Sequence, residues 1–202
     1  MLREGDTYGE RGINKTIIER SLLSKGNTVR HQHVLARAMR GEDIVVGVIG
    51  GSITESGNVT IEDRWGNLIY RWWQESFPKS NIKFINAGIN GSNSNYGAHR
   101  VQTDLLKYNP DFIICEFAVN DSNTKFAAET LEGLIRQTLK SRANPALLLL
   151  FMTYEDGHNA QEWHSRVGKH YGLPMISYGD SIMSSIKEGH LRCRNISDDI
   201  VH

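Results

Sequence analysis

Apolar runs recur along this chain at Ile44–Ile49, Ile82–Asn86, Asp111–Phe117, Ala146–Met152 and Met175–Ser177, with amphipathic stretches filling the gaps between them. Leu147-Leu148-Leu149-Leu150-Phe151 is the clearest of the five. A strand with one wet face would alternate apolar and polar residues, whereas continuous Val, Ile, Leu and Phe indicate strands covered on both faces. Pro78, Pro110, Pro145 and Pro174 each stand shortly before one of the last four runs. Proline has no N–H and cannot continue the helix before it, so each helps to end one element ahead of the next. Strand, crossover helix and strand repeated in this way force parallel pairing through right-handed connections. The expected fold is therefore α/β, a three-layer α/β/α sandwich. In such sheets the loops after the C-terminal ends of the strands converge on one edge, and ligands bind there.

A length of 202 residues allows one domain of this kind with a full core, and not two. Residues 1–43 are polar and interrupted, and read as an N-terminal helical extension packing on a domain that spans 44–202. Within the extension a helix is expected from about Thr28, with Asn27 able to cap it and Gly41 able to end it; Val34, Leu35, Ala38 and Met39 fall at helical spacing. Lys plus Arg and Asp plus Glu number 23 each, for a formal net charge of zero, and no basic run interleaves with aromatics. Nucleic acid and anionic membranes are therefore not expected partners. The first residues hold no apolar core of a signal peptide and no segment has the length of a membrane span, so the chain as it stands reads as cytoplasmic. Cys115 lies in an apolar run and Cys193 in a polar stretch; no CxxC spacing suggests a disulfide framework or a thiolate zinc site. His99, His158, His164, His170 and His190 are scattered without metal-ligand spacing, so no metal and no organic cofactor is expected.

Four segments sit where strands should end or beyond the last one: Gly50-Gly51-Ser52-Ile53-Thr54, Asn86-Ala87-Gly88-Ile89-Asn90-Gly91, Ala118-Val119-Asn120-Asp121 and Asp199-Ile200-Val201-His202. Together they contain the parts of an acyl-transfer site. A serine hydroxyl becomes a good nucleophile once a base takes its proton, and His202 is the candidate base for Ser52. Asp199, about one turn earlier, can orient that imidazole and stabilise its charged form. As a carbonyl carbon becomes tetrahedral, charge gathers on its oxygen, and fixed donors lower the barrier. The Ser52 N–H, the Gly91 N–H and the Asn120 side-chain amide are the three candidate donors.

In this order, the four segments resemble the blocks of the SGNH hydrolases, the GDSL-like esterase superfamily, over roughly Ile44 to His202. The resemblance implies a flavodoxin-like sandwich of about five parallel strands. It also implies Ser52 as nucleophile, Gly91 and Asn120 as partners in the oxyanion hole, and Asp199 and His202 as the orienting acid and base. Gly-Gly-Ser-Ile-Thr stands where the family more often has Gly-Asp-Ser-Leu, and Ala118 stands where glycine is usual, adding a methyl that would narrow the site. The family continues past its last block with a short loop and a closing helix, so the chain is expected to be truncated after His202. The implied activity is that of a serine esterase working through an acyl-enzyme, with no cofactor. Its expected partner is a small-molecule or oligosaccharide ester, acetyl groups on carbohydrate being favoured by the sequence variants of these blocks. Lipid esters and thioesters are alternatives in the same class. Alternatives from other classes are a non-catalytic carbohydrate-binding module and a phosphate-binding protein using the Gly50-Gly51-Ser52 turn. Oligomeric state has no signature here.

Other residues have simpler readings. Trp65, Ile69 and Trp73 are spaced to pack one helix face, with Trp72 beside them. Asp121 and Gly88 read as loop support and turn geometry. Glu55 and Asp63 read as pocket lining or solvated surface, and Arg100 as a salt bridge within the domain that could also reach the site.

Overall fold

The structure is a computed structural model that describes residues 7–8, 13–57 and 59–192. Asp199, His202 and Cys193 lie outside the described residues. The strands are β1 (Thr7–Tyr8), β2 (Ile13–Asn14), β3 (Leu22–Ser24), β4 (Ile44–Gly50), β5 (Ile82–Gly88), β6 (Phe112–Glu116), β7 (Ala146–Phe151) and β8 (Met175–Ser177). The helices are α1 (Lys15–Ser21), α2 (Val29–Met39), α3 (Ser52–Glu55), α4 (Trp65–Ser76), α5 (Ser94–Asp104), α6 (Lys125–Leu139), α7 (Gln161–His170) and α8 (Tyr178–Lys187). Single 3-10 turns cover Ile61–Asp63 and Leu106–Tyr108.

β1 and β2 form a small antiparallel pair, and the other strands make one sheet in the order β3-β8-β7-β6-β4-β5. The five strands from β4 to β8 are parallel, at the five apolar runs of the sequence. Numbered among themselves they follow the order 2-1-3-4-5, the flavodoxin-like winding, in which the chain changes direction between the first and third strands. That switch point lies between β4 and β6, where Val48 pairs with Ile114 and Gly50 with Glu116. The N-terminal segment is more than a helical arm. Its Leu22-Leu23-Ser24 joins the sheet as an antiparallel edge strand against β8. Three residues are too few to establish a periodicity, so nothing local announces this strand.

α2 begins where the Asn27 side chain accepts the Val29 N–H at 3.0 Å and ends at Gly41, whose φ of 82° suits glycine. Arg37 on α2 pairs with Asp111, which also accepts the Val45 N–H at 2.8 Å, so one carboxylate joins the helix to the starts of β4 and β6.

Two apolar layers enclose the sheet. Under α5, α6 and α7 lie Val101, Leu105, Phe117, Leu134, Leu147, Leu149 and Phe151, all nearly without solvent exposure. Under α2 and α4 lie Val34, Ala38, Val46, Trp73 and Phe77. α1 packs on α8 through Ile17 and Ile182. No helix among the described residues is long and apolar enough to cross a membrane.

Candidate active site

Ser52 opens the short helix α3 immediately after β4, half-buried at the switch point. Two glycines before it make room rather than turn sharply. A Cβ on Gly50 would collide with the Thr54 side chain and the Glu116 carbonyl, and one on Gly51 would collide with the carboxamide of Asn120. Asn120 sits on the turn after β6, where its N–H and that of Asp121 both bond to the Phe117 carbonyl, at 3.1 and 3.0 Å. Its amide therefore packs directly on the residue preceding Ser52, and its Oδ1 is buried without a hydrogen-bond partner among the described residues. An unpaired buried polar atom of this kind is costly in a resting protein and is common where a ligand completes the bonding.

Gly91 lies on the turn after β5. Its φ of 68° is in the left-handed region that glycine tolerates best, and a Cβ there would meet nothing within 4 Å. The turn is anchored at both ends to one atom: the Gly50 carbonyl accepts the Ile89 N–H at 3.2 Å and the Ser92 hydroxyl at 3.1 Å. Arg100, buried on α5, donates to that same carbonyl at 3.0 Å, to the Ala87 carbonyl at 2.6 Å and to Ser92 Oγ at 3.3 Å, with Asp104 at 3.2 Å. The expected salt bridge is present, and the guanidinium also binds the ends of both β4 and β5. Glu55 Oε2 accepts the Asn90 N–H at 2.6 Å, so this carboxylate links α3 to the Gly91 turn. Asn86 donates to the Thr54 carbonyl at 2.9 Å, and Gly88 is needed because a side chain there would strike the backbone of Thr54 and Glu55.

Two carboxylates close to Asn120 are deeply buried. Glu116, with no exposed surface, accepts the Thr54 hydroxyl at 3.0 Å, and its Oε1 has no hydrogen-bond partner among the described residues. Burial pushes its carboxyl up to about 7; the Thr54 hydrogen bond works against that, the Asp121 charge adds to it, and the N–H groups of Ala118 and Val119 oppose it weakly. Asp121 Oδ1 accepts the Ser94 N–H at 2.9 Å, and its Oδ2 lies 2.9 Å from His164 Nε2 on α7. Cys115, between these layers, is a free thiol whose ionisation burial opposes.

The structure thus brings Ser52, Gly91 and Asn120 to one edge and cross-ties their loops. Asp199 and His202 lie outside the described residues, and no described side chain hydrogen-bonds to Ser52 Oγ. Sequence reasoning missed His164, Glu116 and Thr54 as supports of the site; their spacing carries no motif, and only Asp121 was read as support. Ala118 has no exposed surface and belongs to the main core, so its methyl does not narrow the opening, contrary to the expectation. Asp63 is exposed and accepts the Thr60 hydroxyl. Of the tryptophans, Trp73 is core, Trp65 donates to the Ile53 carbonyl at 3.0 Å, and Trp72 is half exposed. With His31 and Leu148 they line an apolar cavity of about 560 Å³ that touches none of the candidate residues. Among the described residues no group of three or more His, Cys, Asp or Glu side chains could hold a metal ion.

A serine at the switch point of a 2-1-3-4-5 sheet, with glycine and asparagine on the flanking loops, defines the SGNH type of α/β protein. The chain matches the GDSL-like Lipase/Acylhydrolase family over residues 48–188, and it belongs to that family. It is similar to a two-domain esterase (CEX) active on acetylated mannans, solved also in co-crystals with mannopentaose: 37% identity, TM-score 0.89, covering 91% of this chain and 50% of that one. The chain therefore spans half the length of that esterase. The fold is also that of the acetyl xylan esterase AlAXEase (20% identity, TM-score 0.65, covering 79% of this chain and 91% of that one) and of AlinE4, an SGNH-hydrolase family esterase (18%, 0.60, 79% and 86%). No curated protein matches the chain.

Proposed function

We infer that this chain carries the catalytic centre of a serine esterase that removes acetyl groups from a carbohydrate through an acyl-enzyme on Ser52. The observation that carries the reading is the packing of the Asn120 amide on Gly51, at the mouth between β4 and β6, with the Gly91 turn roped to Gly50. Likeness to the mannan-active esterase over nine-tenths of the chain supports the carbohydrate substrate.

In this reading Ser52 Oγ attacks the acetyl carbonyl, forming the C–O bond while His202 takes its proton. Asp199 keeps the imidazole in the tautomer that accepts it. The oxyanion is held by the N–H groups of Ser52 and Gly91 and by the Asn120 amide. Collapse breaks the bond to the sugar oxygen, which leaves with the proton from His202; water then releases acetate by the same steps in reverse. The backbone donors sit on turns already anchored by Arg100 and Glu55, so little reorganisation accompanies the build-up of charge.

The test is hydrolysis of an acetyl ester and of acetylated mannan and xylan by the chain and by Ser52→Ala. Loss of at least about a thousandfold in Ser52→Ala, with folding intact, is expected. Retention of most activity would remove Ser52 from the mechanism, and equal rates on mannan, xylan and the simple ester would remove the carbohydrate preference.

A further inference from the structure

We propose that His164 is a positioning residue for the oxyanion hole, acting through Asp121 on both loops that carry it; this rests on the esterase reading above. His164 lies in the first half of α7, and its imidazole is 1% exposed, packed near the ring of Phe151. Its Nε2 lies 2.9 Å from Asp121 Oδ2, and apart from this close polar contact neither atom has a hydrogen-bond partner among the described residues. The Asp121 side chain is 3% exposed. Its other oxygen accepts the N–H of Ser94, the first residue of α5, which follows Gly91 by three positions. Asp121 itself directly follows Asn120. One carboxylate thus bridges the loop of Gly91 to the loop of Asn120, and the imidazole sets where that carboxylate stands.

The physical argument is one of satisfaction. A buried carboxylate is tolerated when both oxygens have donors, and Ser94 supplies a donor to only one. The imidazole Nε2 is the polar group 2.9 Å from the second oxygen and, being confined by α7 and Phe151, it fixes where that oxygen stands. The α7 backbone is already bound to the same loop, since Ala160 N–H donates to the Ala118 carbonyl at 2.8 Å and His164 N–H to the Ala160 carbonyl at 3.0 Å. Losing the imidazole therefore leaves the helix docked and releases chiefly the carboxylate. Asp121 then turns to find another donor, Ser94 N–H loses its acceptor, and the spacing between the Gly91 and Asn120 donors widens. Donors matched to a transition state are sensitive to displacement of about an ångström, whereas ground-state binding is not.

The experiment compares wild type, His164→Leu and His164→Gln for kcat and KM on an acetyl ester, and for amide hydrogen exchange by NMR. Expected for His164→Leu is a fall in kcat of about 10–100-fold with KM within twofold. His164→Gln, whose carboxamide can donate toward Asp121, recovers most of that loss, and His164→Ala, which also removes the imidazole, takes the place of His164→Leu if that variant does not fold. Combined with Asn120→Ala, His164→Leu costs less than the product of the single effects. Wild-type kcat in His164→Leu, or in His164→Ala where His164→Leu does not fold, overturns the proposal; so does a change confined to KM. Exchange separates this from the esterase reading. Faster exchange at Ser94 and across residues 89–94 and 118–123, with β4, β6 and β7 unchanged, supports the positioning role even if the chain shows no Ser52-dependent hydrolysis; identical exchange overturns it whatever the activity.

Discussion

On the Gly91 side of the site the backbone is gripped by a cation, Arg100, which donates to the carbonyls of Gly50 and Ala87; on the Asn120 side the anchors are two buried carboxylates, Glu116 and Asp121. A guanidinium stays charged at every working pH, so the first anchor is constant. A carboxylate deprived of water can change its proton occupancy, as the raised Glu116 shows. The comparison teaches that the carboxyl whose proton occupancy burial alters most stands on the Asn120 flank, although the proposed mechanism needs both flanks to hold still.

The largest expected effect comes from breaking the constant side. Arg100→Met leaves the Ala87 carbonyl without this donor and Asp104 without its cation, and a loss of about 3 kcal/mol of stability is expected from urea unfolding. Arg100→Lys, which cannot reproduce the fork, should recover only part. Parallel unfolding of Arg100→Met and wild type would mean that the anchor is idle.

Next is a test of the contact that joins the flanks. Gly51→Ala should lower kcat by about a hundredfold, some 2.7 kcal/mol in barrier, because the new methyl displaces the Asn120 amide. Steady-state kinetics of Gly51→Ala that show a raised KM and an intact kcat would contradict an oxyanion role for Asn120.

The titrating side is sharpened by Glu116→Gln. The native carboxyl, raised to about 7, holds its proton where the unfolded chain has already released it, above about 4.5. Native Glu116 thus binds more protons between these values, and wild-type stability is full below the unfolded value and falls as pH rises through 7, by up to about 1.4 kcal/mol per pH unit. Glu116→Gln lacks this slope. Urea midpoints from pH 5 to 8 should diverge between the two proteins, and parallel curves would refute the assignment.

The smallest effect belongs to Glu55→Ala, which removes one bond to the Asn90 N–H near the surface. About 1 kcal/mol or less in stability is expected, with kcat lowered severalfold through the Gly91 turn. A calorimetric Tm unchanged together with an unchanged kcat would show that Arg100 alone suffices on this flank.

Much of this arrangement was legible along the chain. Apolar runs of strand length with prolines ahead of most of them marked the parallel strands, and Ser52, Gly91 and Asn120 lie after the first three, as their positions along the chain suggested. The antiparallel strand Leu22–Ser24 was not legible, since three residues carry no period and its pairing is chosen by β8. The reach of Arg100 beyond its salt bridge was only partly foreseen, and its carbonyl partners were not. His164 was one histidine among several, because its partner Asp121 lies on a different element and no spacing relates the two.

What the sequence determined by itself was the alternation of strands and helices and the edge at which chemistry could gather, since hydrophobic period and turn residues are properties of neighbours along the chain. Only the tertiary structure decided which polar groups are buried together. Arg100 with the Gly50 carbonyl, Glu116 with Thr54 and Asp121 with His164 are pairings between elements, and their necessity arises from desolvation once the layers close.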